Sequence, residues 1–139
     1  MPVSIPPTLR TILQDKAYAH VITRNASGSP QVSMTWVDAE GDEVLINTND
    51  ARTKALNLKR DPRVVVSVQD RNNPQSYAIF YGRAKAIADD VGNAHIDKLA
   101  NRFLGLDKYV SRVPGEKRVI IRISVDKIGG FAPNYQPWA

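Results

Sequence analysis

The chain has 139 residues, no cysteine, and 19 basic against 14 acidic side chains, for a formal net charge of +5. That length suits one domain spanning 1–139, able to bury about two thirds of its unfolded surface but not to hold two cores. The missing thiols exclude disulfides and thiolate metal sites, His20 and His95 lie far apart, and no apolar run nears the roughly 18 residues of a membrane span.

The first residues, MPVSIPPTLR, lack a cationic start followed by an apolar stretch, so no secretory leader is read and a cytoplasmic location is expected. Pro6-Pro7-Thr8 leads into LRTILQ, where Leu9, Ile12 and Leu13 share one face, which predicts a short N-terminal helix. Three strands follow: AYAHVITR, QVSMTWVD and EVLINT. The turns between and after them carry Gly28, Gly41 and Asn49-Asp50, and the group reads as a meander.

From Glu43 to Arg63 an apolar strand passes through a short polar turn into a helix whose opening turn carries Arg52, Thr53 and Lys54. Such an opening turn leaves backbone amides unpaired and carries the positive end of the helix dipole, so two cations beside it suit a phosphate. Asp50 is the expected N-cap, accepting from the amide of Thr53 or its neighbour. Ala55, Leu56 and Leu58 are expected to face the core, and Asp61-Pro62 stops the helix. The competing reading is a charged face that water simply solvates. Position favours the anion site, because Arg52 and Lys54 lie at the strand end and not along the outer middle of the helix.

VVVSV and SYAIFYGRAKAIA then predict an antiparallel pair joined through Asp70 to Pro74. A further helix carries Ile96, Leu99, Ala100 and Phe103 at the spacing of one buried stripe, read as core. KRVIIRISVDKI alternates, with Val119, Ile121, Ile123 and Val125 on one side and Arg118, Arg122 and Ser124 on the other. About six strands with three inserted helices predict a mainly β fold, a closed or nearly closed antiparallel barrel. No glycine-rich phosphate loop is present.

In the order of its elements and in the segments SPQVSMTWVD, LINTNDARTKALNLKRDPRVVVSV, SYAIFYGRAKA and YVSRVPGEKRVIIRI, the chain resembles the split β-barrel flavin-binding proteins related to pyridoxamine 5'-phosphate oxidase. Within them it is most similar to the oxidoreductases that use the deazaflavin coenzyme F-420. The resemblance implies an FMN-binding type split barrel, a homodimer with cofactor sites at the subunit interface, and hydride transfer to a planar, conjugated small molecule such as an enone, quinone or tetrapyrrole. It implies F-420 as cofactor, with FMN as the alternative. Gln31, Val32, Ser33 and Thr35, in the run that ends at Trp36, would line the ring. Asn47 and Thr48 would meet the ribityl chain or phosphate, and Arg52, Thr53 and Lys54 the phosphate. Gln75, Ser76 and Tyr77 would come from the partner, and Tyr135 to Trp138 would cap the site. Lys59, Arg60 or Arg63 would screen the carboxylate tail of F-420. The substrate-binding residues of true pyridoxamine phosphate oxidases are not matched, so vitamin B6 oxidation is not implied.

Catalytic residues are not assigned: solvent, Tyr77, Tyr81 or an arginine could supply a proton, and the sequence has no evident acid–base dyad. Trp36 and Trp138 are read as packing, Tyr18 and Phe80 as core, His20 as a hydrogen-bonded structural residue, and Arg83 and Lys85 as solvated. A non-catalytic flavin, deazaflavin or haem binder is the competing function. Nucleic-acid binding is disfavoured, because FYGRAK places its aromatics before its cations instead of interleaving them.

Overall fold

The computed structural model describes residues 2–110 and 113–131. In chain order the elements are α1 (Pro7–Leu13), β1 (Tyr18–Arg24), β2 (Pro30–Trp36), β3 (Asp38–Glu40), β4 (Glu43–Asn49), α2 (Thr53–Arg60), β5 (Arg63–Asp70), β6 (Asn73–Asp89), α3 (Ala94–Leu104) and β7 (Arg118–Phe131), with a short 3-10 turn at Val91–Asn93. The seven strands form one antiparallel sheet in the order β2-β1-β5-β6-β7-β4-β3.

One residue, Val37, separates β2 from β3, although those strands are the opposite edges of the sheet. Flat, the edges would stand roughly 29 Å apart, whereas one residue spans at most about 3.6 Å. The sheet therefore curls until its edges meet, giving a barrel split along one seam. At that seam the Val37 amide donates to the Ala17 carbonyl at 3.3 Å, and the Val37 side chain is fully buried.

This crossing corrects two expectations. QVSMTWVD is two strands and not one, so the count among the described residues is seven. The first strands are also not a meander, since among the described residues β2 pairs β1 alone whereas β4 pairs β3 and β7. Turn residues revealed where the chain reverses but not which edge the next strand joins.

Inside the barrel, alternate residues of the strands meet, among them Val21, Ile46, Val66, Phe80, Ile121 and Ile123, while Leu9 and Leu13 of α1 and Leu58 of α2 complete the cluster. Each such buried side chain contributes about 1.5–3 kcal/mol relative to exposure. β6 and β7 run long enough to wrap the barrel because their ladder is broken by bulges at Tyr81/Gly82 and Ala84/Ala86. Gly82 permits the first, since a Cβ there would lie 2.2 Å from the Ser124 carbonyl oxygen.

β2 departs from the pattern. Its residues cross-strand from Thr23, Val21 and Ala19 are Gln31, Ser33 and Thr35, so a polar row faces inward. The opposite face carries Val32 and Met34, at 56% and 63% exposure.

Among the described residues no helix is long and apolar enough to cross a membrane.

Candidate functional site

Arg52, not Asp50, occupies the N-cap of α2, with extended backbone (φ −68°, ψ 149°) and no side-chain capping bond. The expected cap, Asp50, turns away to Lys59, whose Nζ lies 2.6 Å from its carboxylate. The helix mouth thus keeps its free amides at Thr53, Lys54 and Ala55, and the charge of Asp50 is answered by Lys59. Leu56 is 51% exposed and does not join the core, because Lys54, Ala55 and Leu58 define the buried face and Leu56 falls outside it.

Arg52 and Thr53 are exposed, but Lys54 is only 7% exposed. No described residue gives its ammonium a hydrogen bond or an ion pair. Burial first, then the neighbouring charges of Arg52 and Arg118, hold Lys54 below its ordinary pKa. Lys54 and Arg118 are both largely buried and only Arg118 has a carboxylate beside it, Glu116, so the desolvated Lys54 charge is the one an added anion would relieve.

Arg118 links this corner to a cavity of about 240 Å³ on the outer face of the seam, beneath α3. Tyr18, Met34, Trp36, Tyr109, Ile96 and Leu99 form its apolar walls; Asn47 and Arg118 are its polar residues, and Thr35, of the inward row, borders it. The stripe of α3 read as core therefore roofs a pocket, and Phe103 at its end stacks on Trp36 at 4.7 Å. Tyr18, also read as core, is 53% exposed and meets Phe103 edge-on.

The Arg118 side chain is 8% exposed. Its Nε donates to Asn47 Oδ1 at 3.0 Å, its guanidinium lies 5.1 Å from the Tyr109 ring centre, and Glu116 is 3.6 Å away. Asn47 Nδ2 donates to Asp90 Oδ2 and to His95 Nδ1, both at 2.9 Å. His95 Nε2 then donates to Asp38 Oδ2 at 3.0 Å, and Arg102 donates to the other Asp38 oxygen at 2.8 Å. Asp90 also accepts from the amides of His95 and Ile96, tying the start of α3 to the same network. Burial alone would raise the pKa of Asp38; the hydrogen bonds from His95 and Arg102 outweigh it and hold the group at about 2.

A family model described as pyridoxamine 5'-phosphate oxidase matches residues 5–131. The chain belongs to the pyridoxamine 5'-phosphate oxidase family. Among solved structures it is similar to an F-420 reductase, at 28% identity and a TM-score of 0.77 over 90% of this chain and 98% of that one. A conserved hypothetical protein from Mycobacterium tuberculosis shares the fold at 21% identity and a TM-score of 0.70, over 93% of this chain and 85% of that one. General Stress Protein 26 from Bacillus anthracis does so at 23% identity and a TM-score of 0.62, over 86% and 88%.

In this member of the pyridoxamine 5'-phosphate oxidase family, the cavity brings together Thr35 and Asn47, and Arg118 connects them to Lys54. Gln31 lies toward α2, where its Oε1 accepts from the Thr23 hydroxyl, itself bonded by Asn57. The Ser33 hydroxyl is buried with no partner among the described residues. Val32 points outward and Thr48 inward, cross-strand from Val119. Gln75, Ser76 and Tyr77 sit at the start of β6, separated from β2 by β1 and β5, so one chain does not bring them to this cavity. Tyr135 to Trp138 lie outside the described residues.

The three cations expected at a carboxylate tail are engaged within the chain. Lys59 pairs with Asp50, Arg60 with Asn57 and the Arg24 carbonyl, and Arg63 with Asp61 through two bonds of 3.0 and 2.7 Å. Arg83 and Lys85 are exposed as expected and pair with Asp126 and Glu43. His20 lies exposed on the outer face of β1 with no hydrogen bond among the described residues, unlike the structural histidine expected there. His95 and Arg118 were the residues missed. The one signal for Arg118 was its place at the head of an alternating apolar strand.

Proposed function

We propose that this chain is an oxidoreductase that passes a hydride from reduced coenzyme F-420 to a planar conjugated acceptor of the enone, quinone or tetrapyrrole type, as a cytoplasmic homodimer. The observation that carries the reading is Lys54, a buried ammonium without an ion pair among the described residues and acted on by the charges of Arg52 and Arg118. Lys54, Arg52 and the α2 amides would hold the phosphate, Thr35 and the β2 backbone the ring. When bound, the reduced deazaflavin supplies the hydride, and the chain's own residues bind, orient and exclude water. Family membership and the likeness to an F-420 reductase support the cofactor class. FMN is the second reading, favoured by the commitment of Lys59, Arg60 and Arg63 to partners of their own chain.

Titration by cofactor fluorescence, followed by loss of the reduced cofactor's absorbance with candidate acceptors, tests this. Micromolar or tighter binding of F-420 with acceptor-dependent oxidation is expected. Tight binding without turnover on any acceptor leaves a carrier, and binding of neither cofactor sinks the proposal.

The dimer is argued from the outer face. Val32 is cross-strand from Ile22, Ile22 from Val65 and Val65 from Tyr81, which makes an apolar row across four strands. Together with Met34 this is a patch a monomer would not leave in water. In the proposed dimer Gln75 to Tyr77 would come from the partner, as the family resemblance implies. Val32→Asp with Met34→Asp should weaken dimerisation about 100-fold or more, since each would bury an unpaired charge. Light scattering coupled to size exclusion reads the result; an unchanged dimer would place the interface elsewhere.

A further inference from the structure

We propose that Asp38, His95 and Asn47 form a positioning relay that aims Arg118 at the anionic group of the ligand, with His95 acting as a neutral imidazole protonated on Nε2. The inference rests on the cofactor reading above and extends it to residues outside the α2 corner.

The tautomer follows from the donors. A guanidinium can only donate and a carboxylate can only accept, so Arg118 on one side and Asp90 on the other fix which way the Asn47 amide faces. Its Nδ2 therefore meets His95 Nδ1, which must accept, and the ring hydrogen lies on Nε2 toward Asp38. A second ring proton would set two donors against each other. Asn47 would then have to turn over, presenting its NH₂ to Arg118 Nε and releasing the guanidinium.

The relay is anchored and aimed. At one end Asp38, nearly buried on β3, is held by Arg102 of α3. At the other, Arg118 uses Nε on Asn47, has one terminal nitrogen 3.6 Å from Glu116, and lies close enough to Lys54 for the two charges to act on each other. An arginine side chain has about 2 kcal/mol of rotamer entropy to lose when it orders. Fixing its orientation beforehand leaves less to lose when an anion arrives, which is the general basis of preorganised binding. Asn47 accordingly has both amide hydrogens committed, and serves the ligand through Arg118 instead of donating to it.

The test compares ligands that differ in the phosphate: FMN against riboflavin, and F-420 against its deazaflavin core without the phosphate-linked tail. Dissociation constants are measured by fluorescence for wild type, His95→Ala, His95→Asn, Arg118→Gln and the His95→Ala/Arg118→Gln double variant. His95→Ala should weaken the phosphate-bearing ligand about 5- to 30-fold and leave its phosphate-free counterpart within about twofold. His95→Asn, whose Oδ1 can take the place of Nδ1, should restore most of the loss, and in the Arg118→Gln background His95→Ala should add nothing.

Equal losses for both ligands, or a loss that persists without Arg118, would mean a general structural role and overturn the relay. Phosphate discrimination in His95→Ala that is undiminished from wild type would overturn it alone, while wild type that binds neither pair overturns the cofactor reading and the relay with it. Nitrogen-15 spectra of the wild-type imidazoles need no variant at the site. With the His20 signal identified by His20→Gln, the remaining ring should be the Nε2–H tautomer at neutral pH, and an Nδ1–H or doubly protonated ring refutes the proposal.

Discussion

Lys54→Met should raise the melting temperature of the ligand-free protein and weaken a phosphate-bearing cofactor about 10- to 150-fold, the loss of one charge-assisted hydrogen bond. The two effects have one origin. Lys54 is 7% exposed among cations, so its folded pKa lies below its unfolded value. The unfolded chain then binds more protons in that window, and stability rises with pH toward the ordinary 10.5. Below that window the wild type carries the full penalty of a protonated, desolvated ammonium. Methionine keeps much of the length and the apolar stem and removes the charge. Arg52→Ala, at an exposed position, should affect binding less, because solvent screens its charge. Thermal unfolding and fluorescence titration, both at neutral pH, measure the pair of effects. A lower melting temperature together with an unchanged dissociation constant would show that Lys54 is structural.

That corner was legible in the sequence because everything it needs is local: a strand end, a helix start and two cations within three positions. The strands of the barrel were legible for the same reason, as the alternation of Val119, Ile121, Ile123 and Val125 illustrates; all four are buried. What could not be read is what the seam assembles. Asp38 and His95 are 57 positions apart and meet only because the chain crosses from one sheet edge to the other at Val37, bringing β3 beneath α3. Arg118 looked like the solvated side of a strand, yet α3 and the Tyr109 ring cover that side. The inward polar row of β2 was in the sequence as an alternation. Its sense was invisible, because Val32 and Met34 would ordinarily be taken as the buried face.

Asp38→Ala should destabilise the fold by about 3–5 kcal/mol, the range for removing one partner of a buried charge pair. The carboxylate is 2% exposed and accepts from His95 and Arg102, and neither donor has another acceptor among the described residues. The pH dependence gives an independent check. Because the folded pKa is depressed to about 2 from 3.8, the group adds stability that is fully present above the unfolded value and is lost as pH falls through the folded one. The difference between the two values corresponds to roughly 2 kcal/mol. Urea unfolding of wild type and Asp38→Asn should therefore differ most at neutral pH, and the gap should narrow between about pH 4 and pH 2, the window set by those two values. Taking the difference between variants removes the contribution of the other carboxylates, which titrate in both. A gap that stays constant through acid would mean that Asp38 is neutral in the native protein. Arg102 would then lack its counter-charge, and His95 would meet an uncharged partner.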